Sequence, residues 1–484
     1  MNKKIFIALA LIVMFGTVLR FYHIGRESLW FDELFTADCC GYPTLTQAVT
    51  EGNIRDNNPP VHHIIVYFFM KYLGDSEAVV RAPSAIAGVL SIILLFFLGR
   101  YLFSYKEGLI AAALLAVLWE PVFYSQEARA YSLLLMFSLL TMYLWKKLLD
   151  TLDKNEFRYP LMAAYALTAV LCAYTHYFGV FLVFLQGVAL FLLFIGRKKP
   201  LLNVVFLYLA VFLAFAPWLP VVQRSASVSK FWIPPASAIN LLKYLRYAFN
   251  DSWYLLFAAA PFFLFYLYSA VRRFGRRRYL SARELFISPD MIVLLWLAVP
   301  VTITYVKSLV SMPLFLERYL IISLPAVYLL FARGITLLPV STRRQMFLAA
   351  LVVAVCSADL IIGMRYYREP QKQQWREAVQ YILVKDRLPA PSVIVGFNHD
   401  FRGYYFRRAG SGKKVLLTAG LNGDIPKVEA LITTKKPQYV WYLYGHGRPD
   451  AQFIQHLTSK YNVVRKKQFV STAVYLFETA NKRE

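Results

Sequence analysis

Two adjacent carboxylates, Asp32 and Glu33, lie in the stretch Arg26-Glu27-Ser28-Leu29-Trp30-Phe31-Asp32-Glu33-Leu34-Phe35, directly after the first strongly apolar segment. A carboxylate at a bilayer boundary is costly unless it is solvated, paired or used. If used, it can take a proton, orient a nucleophile or bind a metal. Further groups with similar capacity recur at the ends of later apolar segments: His62 and His63, Arg81, Glu127 with Arg129 and Tyr131, Lys307, and Arg318. Arginine and lysine at such positions either hold an anion or snorkel to lipid headgroups. Two neighbouring residues on a helix point about 100° apart, so His62 and His63 are poorly placed to share one ion.

The elements that position these groups are membrane helices. The chain has 484 residues, 58% hydrophobic and 17% aromatic, more apolar than a soluble domain. The excess is confined to residues 1–364, and residues 365–484 have ordinary soluble composition. A span needs ~20 apolar residues. Eleven candidates are read: Ile5–Tyr22, Ala82–Phe103, Glu107–Phe123, Tyr131–Leu149, Tyr159–Thr175, Phe178–Ile195, Leu201–Ala216, Tyr254–Val271, Met291–Val306, Tyr319–Phe331 and Met346–Met364. Val61–Leu73 is shorter and carries both histidines, so it is expected to be an interfacial helix. The first helix lacks a small-residue cleavage site and is read as uncleaved.

The net charge of +25 does not imply nucleic acid, since its basic residues form short clusters between apolar blocks. With the N-terminus cytoplasmic, Lys3-Lys4, Arg197-Lys198-Lys199, Arg272-Arg273 with Arg276-Arg277-Arg278, and Arg343-Arg344 all fall inside, as the positive-inside rule expects. The outer segments are then residues 23–81, 124–130, 217–253 and 307–318, with the tail also outside. The four cysteines match no zinc motif. The tail reads as alternating helix and strand: helices at 373–388, 402–408, 426–433 and 450–460, and strands at 392–397, 414–418 and 438–444. A final hairpin is expected at 461–469 and 472–477. This predicts an α/β domain.

Five short motifs occur in order: Leu29-Trp30-Phe31-Asp32-Glu33, Asn58-Pro59-Pro60-Val61-His62-His63, Arg81-Ala82-Pro83-Ser84, Glu127-Ala128-Arg129-Ala130-Tyr131 and Glu317-Arg318-Tyr319. Together with Trp375-Arg376-Glu377-Ala378, they resemble the GT-C class of glycosyltransferases. The resemblance is to its bacterial branch of protein O-mannosyltransferase-like enzymes and lipid A aminoarabinose transferases. It covers nearly the whole chain and implies a polytopic helical membrane domain with a sugar donor on undecaprenyl phosphate.

The resemblance further implies Asp32 as general base, with Glu33 supporting it or binding a metal. Glu127 is then a second acid or metal ligand, and Arg129 a phosphate ligand or a partner of Glu127. His62 or His63 would contact the acceptor, and Arg318 the phosphate. Arg81, Tyr131 and Lys307 join as substrate contacts. A divalent metal, if used, would rest on Asp32, Glu33 and Glu127. The acceptor is a protein, lipid or glycan, and the expected location is the bacterial cytoplasmic membrane. A transporter or flippase of lipid-linked sugars is the alternative, but it would place polar groups at mid-span rather than at helix ends.

Overall fold

The computed structural model describes residues 2–53, 58–226, 233–276, 281–385, 392–396, 399–409, 425–445 and 451–481. The apolar part is a helical bundle. Its elements are α1 (Lys3–Phe21), α2 (Phe31–Cys40), α3 (Val61–Leu73), α4 (Glu77–Leu102), α5 (Tyr105–Val117), α6 (Trp119–Ser125), α7 (Tyr131–Asp153), α8 (Tyr159–Ala173), α9 (Tyr177–Phe194) and α10 (Lys198–Phe215). They continue with α11 (Trp253–Arg276), α12 (Pro289–Val310), α13 (Leu324–Thr336) and α14 (Thr342–Ala358). Among the described residues, eight helices are long and apolar enough to cross a membrane, or nine if the bent pair α5–α6 is one span. The chain is a multi-pass membrane protein.

Each of the eleven expected spans corresponds to helix, but three depart from a simple crossing. Helices α8 and α13 have 15 and 13 residues, ~20–22 Å of helix, which is less than the ~30 Å hydrocarbon core. Helix α13 is buried almost all round and is preceded by a 3-10 turn at Glu317–Ile322. The third departure is the 59° break between α5 and α6, where Leu118 is extended.

The break is satisfied from both sides. Arg20 of α1 donates Nη2 to the Leu115 carbonyl at 2.8 Å and Nη1 to that of Ala116 at 2.9 Å, capping carbonyls that a helix end leaves without partners. On the other side, the Trp119 N–H donates to Asn250 Oδ1 at 2.7 Å. The crossing is tight at Gly88 of α4, where a Cβ would fall 2.0 Å from Ser125 Oγ.

Val61–Leu73 forms α3, a 13-residue helix with both histidines buried, ~20 Å long and too short for a simple crossing. The tail contains α15 (Trp375–Lys385), β1 (Ser392–Gly396), α16 (His399–Arg408), α17 (Ile425–Lys435), β2 (Tyr439–Gly445), α18 (Ala451–Lys460), β3 (Tyr461–Phe469) and β4 (Thr472–Asn481). The expected strand at 414–418 lies outside the described residues. The sheet order is β1-β2-β4-β3, with β1 parallel to β2 and the other pairs antiparallel.

Alternation along β2 and β4 gives the sheet two apolar faces. Val440, Tyr442 and Phe477 pack with Val428 of α17 and Phe453 of α18. Trp441, Leu443 and Leu476 share a core with Trp375 and Val379 of α15, and also with Leu29, Leu34 and Val66 of the first membrane loop. The tail is therefore built into the loop that carries Asp32. Arg376 and Arg408 add ion pairs to Glu77 at 2.9 and 3.0 Å.

Candidate active site

The segment Leu29–Trp30 is extended, and Trp30 is the N-cap of α2, so Asp32 and Glu33 fall in its first turn, where the helix dipole favours carboxylates. Their environments differ. Glu33 is fully buried. It is gripped by Arg81 Nε and Nη2, both at 2.7 Å, and it also accepts from Lys372 Nζ at 3.1 Å, the Ala128 N–H at 2.8 Å and the Trp30 N–H at 3.2 Å. Burial alone would raise its pKa. Arg81, then Lys372, together with the hydrogen bonds, hold it down to about 2.

Arg81 is equally committed. Its remaining N–H groups go to the carbonyls of Ile24 and Glu27 (2.8 and 2.9 Å) and Ser28 (2.9 Å). All five guanidinium hydrogens are used, which leaves none for a substrate and corrects the expectation that Arg81 contacts one. Ser84, one helical turn on, donates to the Arg129 carbonyl at 3.1 Å. The Arg-Ala-Pro-Ser motif thus ties the acidic loop to the 126–130 turn.

The Asp32 side chain is 25% exposed, and its Oδ2 lies 3.8 Å from Arg318 Nη1. Arg318 sits over the Tyr131 and Tyr319 rings at 5.5 and 5.6 Å and opens onto a 440 Å³ cavity. Trp30, Tyr247, Glu127 and Glu317 also line it, and the tail contributes Gln371, Lys372, Gln373 and Ser471. Asp32 flanks this cavity beside Arg318 rather than lining it.

Glu127 is 1% exposed, and neither of its carboxylate oxygens accepts a hydrogen bond among the described residues. It does not form the local cap with Arg129 that its spacing allows. Burial, assisted by Glu33 and Asp32 and opposed by Lys372 and Arg318, raises its pKa to about 7. The Trp30 indole N–H, on the cavity wall, has no acceptor among the described residues either. Arg129 turns instead to the Asp32 carbonyl at 3.3 Å and Thr36 Oγ1 at 3.0 Å, so it positions α2.

Three expected contacts fall elsewhere. His62 and His63 are buried, with rings 5.7 Å apart at 88°. They line a separate pocket of about 10 Å³ with Arg129, Tyr131 and His176, room for about one water. Tyr131 supports Arg318 from that pocket. Lys307 is exposed in the last turn of α12 and does not line the cavity. Among the described residues, no group of three His, Cys, Asp or Glu is placed to hold a metal ion, so Asp32, Glu33 and Glu127 do not gather as a ligand set.

Two residues were missed. Lys372, three residues before the start of α15 at Trp375, donates to the Gln126 carbonyl at 2.6 Å as well as to Glu33; burial, then Arg81, lowers its pKa. Its sequence setting, Gln371-Lys372-Gln373-Gln374, carries no signal. Glu120 falls inside the expected span Glu107–Phe123. It lies at the start of α6, 1% exposed, with both oxygens lacking donors among the described residues.

Residues 57–223 match the sequence model of the dolichyl-phosphate-mannose-protein mannosyltransferase family. The matched part includes His62, His63, Arg81 and the 127–131 turn. Among curated proteins, none matches the sequence. Among solved structures, ArnT from Cupriavidus metallidurans in the apo state superposes with a TM-score of 0.56 at 12% identity, covering 96% of this chain and 97% of that one. The same protein bound to undecaprenyl phosphate gives 0.55 at 12% identity, with the same coverage. The oligosaccharyltransferase AglB from Archaeoglobus fulgidus, in complex with an inhibitory peptide and a dolichol-phosphate, gives 0.56 at 12%, covering 99% of this chain and 74% of that one.

The chain has the GT-C fold. It resembles the glycosyltransferases that share this fold, and the likeness extends to the α/β tail as well as the helices. Within that GT-C fold, the acidic loop, the 126–130 turn, the Arg318 turn and the first residues of the tail converge on one cavity.

Proposed function

We propose that this protein is a membrane glycosyltransferase that moves a sugar from a polyprenyl phosphate, undecaprenyl phosphate in kind, to an acceptor at the outer face of the bacterial cytoplasmic membrane. The observation that carries this reading is the Asp32–Arg318 pair beside a cavity that also presents Glu127 and Lys372. A carboxylate next to a cation, both partly open, suits an attack in which a proton leaves the acceptor and negative charge grows on a leaving phosphate.

In this scheme Asp32 takes the acceptor's proton as the acceptor heteroatom bonds to the anomeric carbon. The anomeric C–O bond breaks, and the phosphate keeps the electron pair. Arg318 holds that phosphate, with Lys372 adding positive potential from the cavity wall. Below about pH 7, Glu127 is a neutral acid able to donate to a sugar or phosphate oxygen. Glu33 supports the site by holding Arg81, Lys372 and the 126–130 turn in place. Any divalent ion would be held by Asp32 or Glu127 together with substrate oxygens, since Glu33 is already saturated.

The test is transfer of a radiolabelled sugar from its polyprenyl phosphate by the full chain in liposomes. Asp32→Asn is expected to lower the rate by about 10²–10⁴-fold with unchanged thermal unfolding. Wild-type turnover in that variant would overturn the assignment. Movement of the lipid-linked sugar across the bilayer without covalent transfer would favour a flippase instead.

A further inference from the structure

The end of the bundle remote from Asp32 holds a second cavity, an apolar groove of 590 Å³ between α7, α9 and α12. Met142, Trp145, Leu182, Trp296 and Pro300 form its wall. Gln186 also lines it, but its polar groups are spent inside the protein. Its Oε1 accepts from the Tyr165 hydroxyl at 2.8 Å, and its carbonyl accepts from Trp145 Nε1 at 3.0 Å. On the rim, Val188, Leu192 and Ile195 are exposed, so the groove opens sideways, out of the bundle.

Its length and charge both point to a lipid. The groove runs from Arg283 and Phe286 to Pro300. Pro300 lies eleven residues along α12 from Pro289, ~16 Å of helix, close to the ~15 Å depth of one leaflet's hydrocarbon. At the mouth, the Asp153 carboxylate is shared by Arg197 (3.1 Å) and Arg283. Two guanidinium groups on one carboxylate leave a positive charge over, and Arg283 Nε has no acceptor among the described residues. The 23 residues of α7, ~34 Å of helix, separate Asp153 from Tyr131, so this groove serves the leaflet opposite the Asp32 cavity.

We infer that the groove binds one acyl chain of an anionic glycerophospholipid, phosphatidylglycerol in kind, with its phosphate on Arg283. Bilayer hydrocarbon is as apolar as the groove, so the tail gives little selectivity. The headgroup charge supplies it, at about fivefold per basic residue engaged. The inference does not depend on the donor chemistry of the other cavity.

The experiment is native mass spectrometry of the detergent-solubilised full chain, offered phosphatidylglycerol, phosphatidylcholine with matched chains, and undecaprenyl phosphate. The expected result is a single phosphatidylglycerol adduct, about fivefold preferred over phosphatidylcholine. That preference disappears in Arg283→Gln, and the adduct disappears in Ala189→Trp, which fills the groove. Arg283 is partly exposed and its replacement leaves Asp153 with Arg197, so this variant carries the test if Ala189→Trp fails to fold. Equal retention of the two phospholipids by the wild type, an unchanged preference in Arg283→Gln, or preferred retention of undecaprenyl phosphate would each overturn the inference.

Discussion

At the end of the bundle around Glu107 and Asp290, the carboxylates have their cations. Glu107 accepts from Arg333 at 2.7 Å and Thr336 Oγ1 at 2.6 Å, and Asp290 lies 3.3 Å from Arg273 and 3.6 Å from Arg333. At the Asp32 end, Glu33 is held at least as well. Yet Glu127 is buried with no donor among the described residues, and Asp32 meets Arg318 only at 3.8 Å. Both ends use the same residue types. A satisfied ion pair fixes helices, whereas an unsatisfied buried carboxylate is a cost that folding alone does not explain. Among the described residues, the buried carboxylates with neither oxygen paired are Glu127 at the cavity and Glu120 at the α5–α6 break, which separates the two ends more sharply than charge content does.

The largest effect should come from breaking the architectural part of the Asp32 end. Glu33→Gln leaves Arg81 and Lys372 without their counter-charge, at a cost of about 3–5 kcal/mol, read as a lowered unfolding midpoint in detergent. Glu33 is held down to about 2 from 4.5. Its stabilisation is therefore complete above about pH 4.5 and is lost as pH falls toward 2, and acid titration of the wild type should show this loss. If Glu33→Gln is as stable as the wild type, the cage around Glu33 is not structural.

Lys372→Met removes two charge-assisted hydrogen bonds, each worth about 1.5–3 kcal/mol. It also makes the cavity more negative, so transfer should fall further than stability does. An equal fall in both would place Lys372 with the architecture. Glu127 titrates the other way. It is neutral below about pH 7, its stabilising neutral form is lost as pH rises through that value, and the new charge repels a donor phosphate. The KM for donor should therefore rise through about pH 7 in the wild type and stay flat in Glu127→Gln. A wild-type profile without that inflection would remove Glu127 from the site. Lys307→Ala, on an exposed turn, should change stability by no more than about 0.5 kcal/mol and leave transfer unchanged.

Much of this was legible from sequence because each signal was local. A continuous apolar run marks β2, the tail's helix–strand order places the hairpin at 461–469 and 472–477, and the shortness of Val61–Leu73 marks α3. Asp32, Glu127 and Arg318 stand out in the sequence because they sit at apolar boundaries. Local signals failed where pairing is long-range. Nothing near Arg81 reveals that all its hydrogens are spent on the 24–33 loop. Nothing near Lys372 reveals that it reaches Glu33, 339 positions away. The α5–α6 break lay hidden in one continuous apolar run because Arg20 and Asn250, which stabilise it, come from distant helices.

The 339-residue separation between Glu33 and Lys372 also sets an order of events during synthesis. Arg81 can meet Glu33 early, while most of the bundle is still untranslated. The lysine emerges on the order of 20–70 s later at ordinary elongation rates of ~5–20 residues per second. Until then one wall of the cavity is missing, and the loop bearing Asp32 lacks the tail's share of its core. On the proposed function, a nascent chain becomes competent only late, once the bundle has been inserted, and an unfinished copy is inert toward the lipid pool around it.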